Sequence, residues 1–411
     1  MKMSPEEFLR TAFEKALAAA DPFDAVLDYL PPRPLGRTIV VGAGKAAARM
    51  AQAVEAAWGE AAEGLVIVPH GHKVDTKYIE VVEGGHPVPD QNGVDATHRI
   101  LEMARSLTDL DLLLVLVSGG GSSLLTLPAA DLTLGEKQIL TQALLKSGAR
   151  IKEINTVRRH LSGIKNGRLA AAAAPAQVIT LIVSDVPGDD PAVVASGPTV
   201  PDKTTPEMAL DILEKYNAPI PPKVRTFLEE TTQLKLEDVP SENHIIIRAA
   251  DAMEAAATFA QEEGLSYNFL GDDVEGEAKS VAMAHANLAL SIPRGGRPML
   301  ILSGGELTVK VKGEGRGGRN QEYLLGLAIM LNGAKGIYAL SVDTDGIDGF
   351  SPVAGALLTP GCLKLAIEKG LDPKASLKNN DSYTFFDQLG THIITGPTLT
   401  NVNDFRAILC L

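Results

Sequence analysis

The stretch TIVVGAGKAAARMAQAVEAAW, residues 38–58, changes its period halfway along. A β-branched apolar run gives way to glycines and then to apolar residues at helical spacing. That order reads as a buried strand, a tight turn and an amphipathic helix. Working outward, the same alternation recurs at GLVIV (64–68), LLLVLV (112–117) and VITLIVS (178–184). A second series follows at HIIIR (244–248), YNFL (267–270), MLILS (299–303), GIYALS (336–341) and HIIT (392–395). Short apolar runs separated by helical segments are the pattern of α/β domains with parallel strands. The chain has 411 residues, enough for two such domains. Residues 217–243 are rich in Pro and charge and show no strand pattern, which predicts a boundary near 240 and domains over 1–239 and 240–411. Terminal segments are free to cross between them.

Composition narrows the function. Hydrophobic residues make up 45% and charged residues 22%, an ordinary globular balance. A formal net charge of −13 argues against duplex DNA or an anionic membrane surface as a partner, and aromatics at 4% argue against a base-stacking platform. The two cysteines, Cys362 and Cys410, have no metal or thiol-exchange spacing and are expected to be buried small hydrophobes. The amino terminus reads as an amphipathic helix, and no apolar run approaches the roughly 20 residues that span a bilayer. The expectation is a cytoplasmic protein, monomer or homodimer, with no nucleic-acid or membrane partner.

Two of the apolar runs end on the same triplet, Ser-Gly-Gly: LLLVLVSGGGSSLL (112–125) and MLILSGGELT (299–308). Ser118, Gly119, Gly120, Gly121 and Ser122 offer successive amides and hydroxyls without bulk, which suits phosphate oxygens. Gly304, Gly305 and Glu306 repeat the theme and add a carboxylate. The first turn, with Gly42 and Gly44, fits G-x-G-x-x-G/A, a dinucleotide fingerprint with Ala47 in the third place. That fingerprint also wants an acidic residue at the end of the next strand for the ribose. Here that strand ends in VIVPHGHK, so a nicotinamide site is disfavoured. Lys45 then stands in the first turn of a helix, where a cation is poorly placed unless a bound anion accompanies it; a solvated lysine is the alternative. The loop from Lys310 to Glu322 carries Arg316 and Arg319 among four glycines just before a helix, either an anion clamp or a solvated basic loop.

Two acidic loops follow strands. One holds Asp185 and Asp189 in SDVPGDDP (184–191); the other holds Asp343, Asp345 and Asp348 in DTDGIDG (343–349). The latter lacks the Glu and the helix–loop–helix frame of an EF-hand. Carboxylates at strand ends can hold Mg²⁺, take a proton from a hydroxyl, or cap turns. His86, in GGHPVPD (84–90), could bind substrate or cap the helix that follows.

Set side by side, VGAGKAA, GGHPVPD, VSGGGSS, SDVPGDDP, ASGPTV, LSGGELTV, GRGGRNQE, DTDGIDG and TGPTLTNVND resemble the two-domain glycerate 2-kinase family, once labelled hydroxypyruvate reductase. They run from residue 41 to 404, almost the whole chain; Ser123 stands where the usual loop has alanine. The resemblance implies a Rossmann-like parallel-sheet domain and a smaller α/β domain with the active site in the cleft between them. It implies transfer of the ATP γ-phosphoryl group to the 2-hydroxyl of D-glycerate, with Mg²⁺. Lys45 and Arg319 are then expected on the phosphoryl group and the substrate carboxylate, in either order, and Asp185 or Asp189 as general base or Mg²⁺ ligand. Gly42, Gly44, the 118–122 loop, Gly304, Gly305, Glu306 and Asn320 are expected on the nucleotide. Asp343, Asp345 and Asp348 are expected on the metal. The competing readings are an NAD(P)-dependent hydroxypyruvate reductase and a non-catalytic small-molecule sensor.

Overall fold

The computed structural model describes residues 3–129, 131–235, 239, 241–293 and 295–411. They form two compact units: Pro22–Ile247, and the amino-terminal stretch through Asp21 together with Arg248–Leu411.

The first unit is built on a six-stranded, wholly parallel sheet of β1 (Thr38–Ala43), β2 (Ala62–Pro69), β3 (Ile79–Gly84), β4 (Leu112–Val117), β5 (Gln177–Val183) and β6 (Glu242–Ile247). Its order is β3-β2-β1-β4-β5-β6, the doubly wound Rossmann order, in which the direction of winding reverses between β1 and β4. Every residue of β1 and β4 is buried, because helices cover both faces of a central parallel strand. One face packs Ile39, Val41, Leu65, Ile67, Leu113 and Val115 into a single core. Helices Leu134–Lys146, Ile151–His160, Pro206–Lys215 and Pro222–Glu230 hold a separate core around Leu140, Leu144, Val157, Leu213 and Val224.

The second unit carries a mixed sheet. Its strands are β7 (Ser266–Phe269), β9 (Met299–Ser303), β11 (Ile337–Asp343), β12 (Gly355–Leu358), β13 (His392–Ile393) and β14 (Asp404–Cys410), ordered β13-β12-β11-β14-β9-β7. Within this sheet β7 and β9 pair in parallel, and the other described pairs are antiparallel. A two-residue parallel ladder joins β8 (Gly276–Glu277) to β10 (Leu307–Thr308). The amino-terminal helix Pro5–Ala19, capped by Ser4 Oγ on Glu7 N, belongs to this unit: Phe8 stacks on Phe259 at 5.2 Å and Phe13 lies 5.6 Å from Phe405.

The sequence reading differs from this at one junction. Pro240, at the expected boundary, lies outside the described residues, and by sequence the run HIIIR falls in the second series. Instead, Glu242–Ile247 adds to the edge of β5, with Ser184 N bonded to Ile247 O at 2.9 Å, so the units change at Arg248. A strand's sheet is set by the neighbour that takes its hydrogen bonds, and an apolar run does not encode that neighbour. Among the described residues no helix is long and apolar enough to cross a membrane. Cys362 and Cys410 are both buried.

Candidate active site

In the first unit the carboxyl ends of β1 and β4 lie side by side, and their loops lock together. A Cβ on Gly42 would sit 2.0 Å from Leu116 O, and one on Gly44 (φ +139°) 2.1 Å from Ser118 Oγ. Both glycines therefore serve the approach of β4. The amides of the turn are engaged from the same side: Ala46 N donates to Ser118 Oγ at 2.9 Å and Lys45 N to Gly119 O at 2.9 Å. A dinucleotide fingerprint needs those amides for a pyrophosphate. Lys45 is half-buried on this turn. The residue following β2 is His70, whose Nε2 lies 3.1 Å from Asp90 Oδ2.

The Ser-Gly-Gly-Gly-Ser-Ser loop folds into the short helix Gly121–Leu124. Gly120 (φ +83°) lies under the His86 ring, where a Cβ would come within 3.2 Å. Ser123 Oγ is 2.7 Å from His86 Nδ1 and donates to Gly120 O at 3.0 Å. Ser122 Oγ lies 2.8 Å from Ser196 Oγ. Ser196 ends the loop that begins after β5, so the segment carrying Asp185 and Asp189 is anchored on the 118–123 loop. Ala195, Ser196 and Gly197 all adopt left-handed backbone, at φ 49°, 66° and 59°. For the two non-glycine residues such strain is of order 1–3 kcal/mol each and gathers at functional sites. Asp189 is left-handed too (φ 52°), and Asp190 Oδ1 accepts from Ala192 N at 2.9 Å.

Beside Ser122 opens a cavity of about 320 Å³ whose lining includes Lys137, Arg158 and Lys165. Lys165 donates to Ser122 O, and to Ser122 Oγ at 3.0 Å. The sequence reading named none of these three. The dense basic run VRRHLSGIKNGR (157–168) was the available signal for Arg158 and Lys165; Lys137 arrives from a different helix and had none. Two further basic groups lie in the same run. Arg159 pairs with Asp202, and His160, pushed down to about 4 by burial, meets Thr204 Oγ1 at 2.9 Å.

In the second unit Arg319 opens the helix Arg319–Leu331 and is held by three carboxylates. Its Nε donates to Asp404 Oδ1 (2.8 Å), its Nη1 to Glu306 Oε1 (2.7 Å) and its Nη2 to Asp343 Oδ2 (2.8 Å). Burial works against this charge, but Asp404, Asp343 and Glu306 outweigh it and hold the guanidinium above its ordinary pKa. Of the three partners only Glu306 is exposed. Buried Arg406 ties Asp404 Oδ2 (2.8 Å) to the Gly304 carbonyl, which secures the second Ser-Gly-Gly loop from below. A Cβ on Gly305 would meet Val274 N at 2.3 Å.

Several expected ligand groups turn out to be internal fastenings. Asp348 caps the helix: its oxygens accept from Asn320 N (3.0 Å) and Gln321 N (2.9 Å), and burial pushes its carboxyl up to about 6. Asp343 Oδ1 accepts from Asp345 N, and Asp345 Oδ1 from Ile347 N. The three aspartates expected to share a metal are thus divided among other partners. Among the described residues no group of three or more His, Cys, Asp or Glu is placed to hold a metal ion. Asn320 is buried and hydrogen-bonded to Asp404, Asp348 and Ser341 Oγ. The glycines at 313–318 face protein: Cβ atoms on Gly313, Gly315 and Gly318 would fall 2.3–2.4 Å from Asn379 O, Asp381 Cβ and Asp348 Cγ. Arg316 stacks on Tyr383 at 4.5 Å. Next to Arg319 a recess of about 340 Å³ has apolar walls from Leu307, Val309, Val311 and Phe350.

The comparisons with known proteins agree with this architecture. The family described as Domain of unknown function (DUF4147) matches residues 8–229, and the MOFRL family matches residues 299–404. A protein of Agrobacterium vitis that carries a provisional hydroxypyruvate reductase name is 49% identical, covering 99% of this chain and 95% of that one. The D-glycerate 2-kinase of Thermotoga maritima is 42% identical, covering 97% and 98%. The crystal structure of glycerate kinase from the same organism superposes with a TM-score of 0.90 at 40% identity, covering 99% of both chains.

Proposed function

The chain belongs to the glycerate 2-kinase family, and from that premise we propose that it transfers the γ-phosphoryl group of ATP to the 2-hydroxyl of D-glycerate, in the cytoplasm. The hydroxyl oxygen bonds to the γ-phosphorus, the bond to the β-phosphate oxygen breaks, and the hydroxyl proton passes to a base; the products are 2-phosphoglycerate and ADP. Such a reaction asks the protein chiefly for positioning and charge neutralisation. Lys45 and the 118–122 loop serve the phosphates, and Asp185 or Asp189 takes the proton. Arg319 reaches the phosphoryl group by giving up Glu306, its one exposed partner. The apolar recess beside Arg319 suits a flat base. ATP enters as its magnesium complex, which keeps most of its shell as phosphate and water and needs one or two carboxylates from the protein. Whichever of Asp185 and Asp189 does not take the proton would fit that demand; the trio at 343–348, engaged by other partners, does not.

The observation that carries this reading over a reductase is the closed fingerprint turn. Its amides bond to Ser118 and Gly119, and β2 is followed by a histidine where a ribose carboxylate would stand. The test is to supply ATP, D-glycerate and Mg²⁺ and resolve the products by NMR. 2-Phosphoglycerate formed one-for-one with ADP is expected, and hydroxypyruvate with NADH or NADPH should show no change in nicotinamide absorbance. Nicotinamide oxidation without ATP consumption would reverse the assignment.

A further inference from the structure

Three basic side chains from separate segments meet at the cavity beside Ser122. Lys137 comes from the helix Leu134–Lys146, Arg158 from the helix Ile151–His160, and Lys165 from the turn after it. Lys137 is 9% exposed and Lys165 3%. Burial, then Arg158 and Arg168, lower Lys137 to about 7. Burial, then Lys137, Arg158 and Arg159, pull Lys165 well down. The charges that push these two lysines down are cations: Arg158 and Arg168 for Lys137, and Lys137, Arg158 and Arg159 for Lys165. Asp202 is engaged by Arg159. Lys165 cannot swing to solvent without giving up both bonds to Ser122.

Gathering buried like charges around a cavity destabilises a fold, and it persists where a ligand of opposite charge is bound. At about 320 Å³ the space lies at the small end of ligand pockets, a size that suits a short acid. Gln138 and Gln142 add amide groups to the lining for hydroxyls. We infer that this cavity is the acceptor pocket, in which Lys137, Arg158 and Lys165 grip the carboxylate of a short hydroxy acid and, after transfer, its phosphate ester. The name acceptor rests on the kinase reading; the affinity for a small carboxylate does not. Lys165 links the pocket through Ser122 to the strand-end loop.

The test titrates D-glycerate, and separately 2-phosphoglycerate, into the nucleotide-free protein by calorimetry, for wild type, Lys137→Met and Leu145→Trp. Leu145 lines the mouth and is 57% exposed, so tryptophan there narrows the pocket without touching its charges. Wild type should bind both ligands, and each variant should weaken both about tenfold or more, a difference calorimetry resolves. Lys137→Met should also keep or raise the melting temperature, which a merely structural lysine would not allow. Folded variants that bind like wild type, or a wild type that takes up neither ligand, would overturn the pocket. ATP turnover is read separately. Binding lost in the variants but no turnover in wild type would end the kinase reading and leave the carboxylate site standing.

Discussion

Ser118 Oγ accepts the Ala46 amide at 2.9 Å, and this bond closes the end of β1 onto the end of β4. It converts a turn with the lettering of a dinucleotide site into an internal joint. Ser118 is fully buried, so Ser118→Ala leaves that amide without its partner and should cost about 1–3 kcal/mol. Gly44→Ala should cost more, since it adds backbone strain to a contact of 2.1 Å with the same oxygen. Urea unfolding of both single variants and the double variant measures this. The double should cost less than the sum, because removing Oγ removes the tightest of the three close contacts.

Arg319 should behave first as a structural cation. Arg319→Ala leaves Asp343 and Asp404 buried without it, and breaking such an arrangement typically costs about 3–5 kcal/mol. Glu306→Gln removes the exposed partner and should change stability by no more than about 1 kcal/mol. If Arg319 exchanges Glu306 for a phosphoryl group, Glu306→Gln alters kcat/KM for ATP while the unfolding midpoint stays put. Steady-state kinetics beside chemical unfolding separates the two effects.

Lys137 should make both stability and binding depend on pH. Its folded pKa, about 7, lies below the ordinary 10.5, so between these values the unfolded chain holds a proton that the folded one has released. Stability therefore rises with pH across that window, by at most about 1.4 kcal/mol per unit from this group. Below about pH 7 the penalty is present in full. Lys137→Met should flatten the rise in urea midpoints measured from pH 6.5 to 9.5. Arg158, Arg168 and Lys165 face the same ammonium and stay in place. Because an anion favours the charged form, the affinity for D-glycerate should fall as pH climbs above about 7.

Asp348 should prove to be a cap. Asp348→Ala frees the amides of Asn320 and Gln321 at the start of a buried helix, at a cost of about 2 kcal/mol. The Mg²⁺ concentration giving half-maximal rate should not move. A rise of tenfold or more in that concentration would return Asp348 to the metal.

Much of the scaffold could be read directly. β1, β4, β5, β9 and β11 lie where apolar runs stop at glycine or serine, since a strand covered on both faces needs uninterrupted apolar residues. β3 escaped notice because it is an edge strand with Glu80 and Glu83 among its valines, and β12 because its four residues are too few to show a period. The glycines were legible as sites of close approach, but what approaches was not. At Gly42, Gly44 and 313–318 it is another part of the chain.

The sequence by itself determined the class of fold, the places where the backbone must come close to something, and the acidic loops after β5 and β11. These are local properties, written in runs of a few residues by burial and turn geometry. Only the tertiary structure decided that β6 completes the first sheet, that Asp348 caps a helix, and that Lys137 meets Arg158 and Lys165 around one cavity. Those outcomes depend on which distant groups share a hydrogen bond or a buried space, and no local pattern carries that information.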